Sequence, residues 1–166
     1  LDNTAQMLAG TYTPSGSQAY KGVDGTESRG IELDLQGELS RGWNLSAGIA
    51  HFTAKDANGV RLNSQIPRTT VQLFTSYQMR GEWSKLTLGG GVKWQSRFYK
   101  APNTGTSTLG GEQSAYALVS LMARYAISKN ANVAVNINNV FDKKYALQKG
   151  DFDTVSYGAP RNVMVT

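Results

Sequence analysis

The sequence predicts an all-β protein, an antiparallel transmembrane β-barrel, on three observations. The first is alternation: Ile31-Glu32-Leu33-Asp34-Leu35-Gln36-Gly37-Glu38-Leu39 places apolar or small residues at odd positions and polar or acidic ones at even positions. Period two gives a strand one apolar face and one wet face. The second is loop length. Short turns at 40–42, 80–84 and 127–131 alternate with long loops at 10–26, 55–68, 100–113 and 141–158. Short turns at one end of a sheet and long loops at the other are the arrangement of an outer-membrane barrel. The third is aromatic placement. Trp43, Tyr77, Trp83 and Tyr125 fall beside the short turns, and Trp94, Phe98 and Tyr99 at the opposite strand ends, matching the two interfacial girdles of such a barrel.

Eight strands are expected in order. A weak one at about Thr4–Leu8 runs into a loop rich in Gly, Ser, Thr and Pro, and Glu27–Leu39 follows, closed by Ser40-Arg41-Gly42. Trp43–Lys55 carries Trp43, Leu45, Ala47 and Ile49 on one face, and Thr69–Met79 carries Val71, Leu73, Thr75, Tyr77 and Met79. Arg80-Gly81-Glu82 turns the chain into Lys85–Tyr99, with Leu86, Leu88, Gly90, Val92, Trp94 and Phe98 opposite Thr87, Lys93, Gln95, Arg97 and Tyr99. Gly89-Gly90-Gly91 within it marks a place where another backbone or a plug comes close. A flexible loop spans Pro102–Gln113. Ala115–Tyr125 sets Val119, Leu121, Ala123 and Tyr125 against Ser120, Met122 and Arg124. Val133, Val135 and Ile137 then alternate with Ala134, Asn136 and Asn138, and Arg161–Thr166 opens the last strand after Pro160.

Composition agrees. The 166 residues have a mean hydropathy of −0.37, and no apolar run approaches the ~18 residues of a spanning helix. A barrel remains allowed, because only alternate strand residues face lipid. The net charge of +5 and pI near 9.5 come from scattered Lys and Arg, without the basic helix or aromatic-basic motif of a nucleic-acid binder. Basic loops suit anionic ligands or lipopolysaccharide. Leu1 is preceded by no Met or signal segment and Thr166 falls in mid-strand, so the chain reads as part of a longer protein.

Catalysis finds no support. Cys is absent and His51 is the only histidine, which removes thiolate and multi-histidine metal sites. The acidic row Glu32, Asp34, Glu38 lines one strand face, where Lys93 and Arg124 on neighbouring strands can balance it, rather than forming an acid–base pair.

Four ordered motifs carry a family resemblance. Asn139-Val140-Phe141-Asp142-Lys143-Lys144-Tyr145 at a strand exit, then Tyr157-Gly158-Ala159-Pro160-Arg161 before the final strand, resemble the C-terminal signature of TonB-dependent outer-membrane receptors. Glu27-Ser28-Arg29-Gly30-Ile31-Glu32-Leu33 and Ile66-Pro67-Arg68 are similar to that family's strand starts. Leu86–Gln95 looks most like the ferripyoverdine and ferric-coprogen receptor group. The resemblance covers about residues 20–166. It implies the last eight or so strands of a barrel of about 22, with a plugged lumen, across residues 1–166.

It further implies a Gram-negative outer-membrane receptor importing a ferric siderophore in a TonB-dependent manner, and not an enzyme. The plug, the TonB box and the TonB contacts would lie in an N-terminal region outside this segment. Iron would arrive inside the siderophore, so no cofactor or protein metal ligand is expected. The partners implied are the ferric siderophore, TonB and outer-membrane lipid or lipopolysaccharide, with no nucleic acid. Arg97 and Tyr99, on the inward parity at the long-loop end, are the first candidate ligand contacts, and Tyr145 and Tyr157 the second. Two readings compete: a complete eight-stranded outer-membrane barrel with a structural or adhesive role, and a soluble lipocalin-like binder. The small residues Ser46, Gly48, Ala50, Gly89, Gly91 and Ala134 on the wet face weigh against a tightly filled eight-stranded lumen.

Overall fold

The computed structural model describes residues 4–12, 14–23, 25, 27–59, 61–62, 66–100, 110–149 and 153–166. Its strands in chain order begin with β1 (Thr4–Tyr12), β2 (Gln18–Val23), β3 (Glu27–Ser40), β4 (Trp43–Lys55) and β5 (Thr69–Gln78). β6 (Leu86–Gln95), β7 (Phe98–Lys100), β8 (Gly111–Gln113) and β9 (Tyr116–Ala126) follow. The last are β10 (Asn132–Asn138), β11 (Ala146–Lys149), β12 (Val155–Tyr157) and β13 (Asn162–Val165). Seven form one antiparallel sheet in the order β13-β10-β9-β6-β5-β4-β3, while β1–β2, β7–β8 and β11–β12 are separate hairpins. β5, β6 and β9 have 10, 10 and 11 residues, the ~9–11 that a tilted strand needs to cross the hydrocarbon.

Register carries the alternation of each strand across the whole sheet. Leu33 pairs with Ile49, Ile49 with Val71, Val71 with Trp94 and Trp94 with Ala117. The neighbouring row runs Leu35, Ala47, Leu73, Val92, Val119. All these residues stand on one face, and that face is bare: Ile31, Leu33 and Leu35 are 76, 65 and 58 % exposed. Among the described residues the buried apolar side chains are Phe98, Tyr116 and Ala146 alone. A soluble barrel would turn this face into a core, whereas a membrane barrel presents it to lipid. Trp43 pairs with Tyr77 and Tyr77 with Leu88, and the Trp43 indole nitrogen donates to Thr75 Oγ1 at 2.8 Å, which anchors the aromatic row at the short-turn end.

Three expectations need correction. The weak first strand exists but pairs with β2 rather than joining the sheet, so half of the expected 10–26 loop is strand. The six residues of β2 include Lys21 and Gly22, too polar a run to stand out by alternation. The sheet therefore has seven strands, with β3 and β13 as its two edges; they do not close on one another, as a complete eight-stranded barrel requires.

The expected 85–99 strand is also interrupted at Ser96-Arg97. Ser96 N donates to Thr69 O at 2.9 Å, while Ser96 Oγ accepts from Thr69 N at 3.0 Å. A side-chain oxygen thus takes the place of a ladder carbonyl, and regular pairing stops. It resumes in β7–β8 in the same register, Phe98 opposite Gln113. Most of the expected Pro102–Gln113 loop, residues 102–109, lies outside the described residues.

The short turns fall as expected. Glu38 Oε1 accepts from Gly42 N at 2.6 Å to close the first. The second holds a single 3-10 turn, Gly81–Trp83, and the third spans 127–131 between β9 and β10.

Candidate ligand-binding site

The wet face of the sheet is built from short residues under long ones. Gly89 and Gly91 stand on it, and a Cβ at Gly91 would meet Leu73 O at 2.9 Å and the Phe74 ring at 3.0 Å. Atoms of the neighbouring strands β5 and β9 therefore crowd this glycine run. Toward the long-loop end is a cavity of about 400 Å³, lined by Glu32, Asp34, Lys93, Gln95, Tyr116 and Tyr145 among others. Lys93 and Arg124 share this face with the acidic row, yet among the described residues neither forms an ion pair with it; the ion pairs are Arg29–Glu27 and Arg97–Glu112. No group of three or more His, Cys, Asp or Glu among the described residues could hold a metal.

Tyr145 reaches this cavity from a loop, and the loop is held by the sequence signature. Asn139 is buried with φ 50°. Its Nδ2 donates to Lys143 O at 3.0 Å and Ala159 O at 3.1 Å, and its Oδ1 accepts from Lys143 N at 2.9 Å. Asp142, with φ 51°, accepts from Arg161 N through Oδ1 at 2.8 Å. Val140 N donates to Val119 O at 2.9 Å, tying the loop to β9. These bonds clasp the exit of β10 to the start of β13. Tyr145 then packs on Tyr116 with ring centroids 4.6 Å apart and planes tilted by 40°. A Cβ at Gly158 would overlap the Tyr145 ring, so the glycine of Tyr157-Gly158 is the seat on which that ring rests. Ala146 N donates to Gln113 Oε1 at 2.7 Å, joining the β11–β12 hairpin to β8.

The four expected ligand contacts separate. Tyr145 lines the inner cavity. Tyr157 lies on β12 opposite Ala146, the residue after Tyr145, and is 72 % exposed. Arg97 and Tyr99 do not share the inner cavity with Lys93 and Gln95. They line a second cavity of about 330 Å³ with His51, Thr69 and Ser96, residues that continue the lipid-facing rows. Arg97 and Tyr99 lie at or beyond the break at Ser96-Arg97, where the regular pairing of β6 has ended. Tyr116, which the sequence reading did not select, also lines the inner cavity; its signal was its place at the long-loop end of β9 on the wet parity.

The comparisons agree with this geometry. A family model described as TonB dependent receptor-like, beta-barrel, matches residues 2–140. The chain is 43 % identical over 147 residues to the ferric-pyoverdine BN7/BN8 receptor of Pseudomonas putida, covering 89 % of this chain and 17 % of the relative. It is 39 % identical over 155 residues to the ferripyoverdine receptor of Pseudomonas aeruginosa, covering 91 % of this chain and 19 % of the relative. The crystal structure of the Pseudomonas aeruginosa outer-membrane ferripyoverdine receptor bound to ferripyoverdine superposes with a TM-score of 0.85 at 37 % identity, over 99 % of this chain and 22 % of that one. The chain thus spans about a fifth of the length of these proteins. Bare apolar rows, short turns opposite long loops and an open seven-stranded sheet are what a piece of such a barrel must look like, and the chain belongs to the TonB-dependent receptor β-barrel family of Gram-negative outer membranes.

Proposed function

We propose that this chain is the C-terminal part of the barrel of a receptor that imports a ferric siderophore of the pyoverdine class in a TonB-dependent manner. The observation that carries the reading is the 39–43 % identity to ferric-pyoverdine receptors over about nine-tenths of the chain. The order of the motifs, ending on the Asn139–Tyr145 and Tyr157–Arg161 clasp, supports the C-terminal placement. The plug and the TonB contacts belong to the remaining four-fifths of such a receptor.

The ligand is bound as a finished iron chelate, so the barrel supplies shape, hydrogen bonds and charge rather than metal ligands. Tyr145, held on Tyr116 and Gly158, offers an aromatic surface, and Lys93 and Gln95 offer donors to chelate oxygens. Tyr157 on the same hairpin is a second contact. Uptake of radioiron-loaded pyoverdine tests the reading: the full-length receptor should restore uptake to a receptor-deleted strain only when TonB is present. A strain that regains no uptake of any ferric siderophore overturns it.

A further inference from the structure

The peptide group between Tyr145 and Ala146 is held from two sides. Its carbonyl, Tyr145 O, accepts from Gly158 N at 2.9 Å, one step beyond the β11–β12 ladder. Its N–H, Ala146 N, donates to Gln113 Oε1 at 2.7 Å. In a planar trans peptide these two groups point in opposite directions, so the plane that carries the Tyr145 Cα is pinned between the β12 side and β8. Among the described residues β11 pairs with β12 alone, and the Gln113 side chain takes the place of a strand carbonyl on its other edge. Ala146 is 4 % exposed, which leaves water little access to its N–H, and a buried donor without an acceptor is costly. The Gln113 oxygen is the acceptor that lets Ala146 lie where it does. β8 is itself firmly seated: Gln113 stands opposite Phe98 in the β7–β8 ladder, and Phe98 is 1 % exposed. Gln113 Nε2 donates to Ser114 O at 2.9 Å, which turns the amide oxygen toward Ala146. A second contact is at Gly111, where a Cβ would meet Lys149 Cδ at 2.6 Å and Nζ at 2.7 Å, so the Lys149 side chain runs across this glycine. The two contacts, Gln113 with Ala146 and Gly111 with Lys149, run antiparallel, and the register shift between Ala146 and Gln148 takes up the extra residue on β11.

We propose that Gln113 is a positioning residue for the ligand: by gripping the Tyr145–Ala146 peptide it holds the Tyr145 ring against Tyr116 in the inner cavity. Gln113 is not among the described residues lining that cavity. It acts through Tyr145, and the β7–β8 hairpin thereby sets ligand affinity from outside. The inference rests on the proposed function in taking Tyr145 as a ligand contact. Three separate segments serve that one side chain, with Tyr116 beside the ring, Gly158 beneath it and Gln113 behind its backbone. The first two fix where the ring can rest, and the third fixes the backbone from which it projects.

The test uses the full-length receptor and two readouts. Hydrogen exchange of residues 145–149 without ligand reads the grip itself. Gln113→Leu should speed exchange at Ala146, while Gln113→Glu, which keeps an acceptor oxygen at the same reach, should retain the parent's protection. Fluorescence-quenching titration with a ferric pyoverdine reads the consequence. Gln113→Leu should weaken binding about fivefold, the scale of one lost hydrogen bond, and should cause no further loss in a Tyr145→Ala background. Such non-additivity marks a residue acting through Tyr145, and a merely loosened loop would not give it. Heat-modifiable migration checks that each barrel is folded, and Gln113→Ala supplies a smaller truncation if Gln113→Leu is not. Unchanged exchange in Gln113→Leu overturns the proposal, as does unchanged affinity or a loss that adds to that of Tyr145→Ala. A Tyr145→Ala receptor that binds as the parent does overturns it as well. A parent that binds no ferric pyoverdine overturns the proposed ligand instead, and the exchange still decides the grip.

Discussion

Leu73→Arg is the sharpest test of which face meets lipid. Leu73 pairs with Ala47 and Val92 and is 44 % exposed. It stands midway on β5 between Tyr77 of the aromatic row and Thr69 of the row that ends the apolar face. Four residues in each direction put it about 13 Å along the strand from either boundary, farther than an arginine side chain comfortably reaches. An arginine near the bilayer midplane of a barrel costs about 2–4 kcal/mol, a factor of about 30 to 900 in the folding equilibrium. Gln72→Arg, one residue away, turns to the wet face near Asp34 and Lys93 and should change stability by no more than about 0.5 kcal/mol. Were the apolar face in water, Leu73→Arg would be equally mild, so the two readings differ by more than tenfold. The measurement is urea titration of the full-length receptor refolded in lipid vesicles, scored by heat-modifiable migration. Equal midpoints for the two variants would refute the assignment of faces.

Other expectations concern the inner site and its clasp. Tyr145→Ala should weaken ferric-siderophore binding by about 1–2 kcal/mol, the scale of one aromatic contact with a polar tip, read by fluorescence quenching of the full-length receptor; unchanged affinity removes Tyr145 from the site. Gly158→Ala adds only a methyl, yet it should reproduce much of that loss because the ring must leave its seat on Tyr116; Gly158→Ala with parental affinity would show the ring's position to be immaterial. Asn139→Ala abolishes three side-chain hydrogen bonds at a buried site and should destabilise the loop by about 2–4 kcal/mol, seen as faster proteolytic cleavage between residues 143 and 160.

Strand positions and faces were legible because period-two alternation is the direct image of a two-faced sheet. Trp43–Lys55 is found with the bounds expected, and Leu33, Ile49, Val71 and Trp94 meet in one row as their parities require. Beyond the apolar band that code fails. β2, β8, β11 and β12 are short and polar, and nothing in lipid selects one of their faces. Arg97 and Tyr99 lie past the end of β6, where the Ser96 side chain takes the Thr69 amide and pairing passes to the short β7–β8 ladder. Tyr145 reached its cavity through Asn139 and Asp142, both in the left-handed backbone region, where alternation has no meaning. The motif named its family without revealing that its members act by tying backbone groups together.

The division of labour inside that motif bears on specificity. Asn139, Asp142 and Arg161 spend their hydrogen bonds on the chain itself, reaching Lys143, Ala159, the Arg161 amide and Val140. What they deliver is the position of Tyr145, whose ring needs the bare Gly158 beneath it and Tyr116 beside it. A motif of this kind aims an aromatic surface into the lumen but cannot tell one chelate from another, because the clasp residues bond to the chain. On the proposed function, discrimination among chelates falls to side chains that line the cavity without being bound into the clasp, here Glu32, Asp34, Lys93 and Gln95, and to the long loops. Charge at those four positions is thus the variable expected to track ligand charge. An anionic chelate should gain from Asp34→Asn and lose from Lys93→Gln, and a cationic one should show the opposite signs, since like charges repel and unlike charges attract. Titrating one receptor and both variants with two chelates of opposite charge reads this directly. Variants that shift both chelates in the same direction would place specificity in the loops and leave the clasped tyrosine as a common platform.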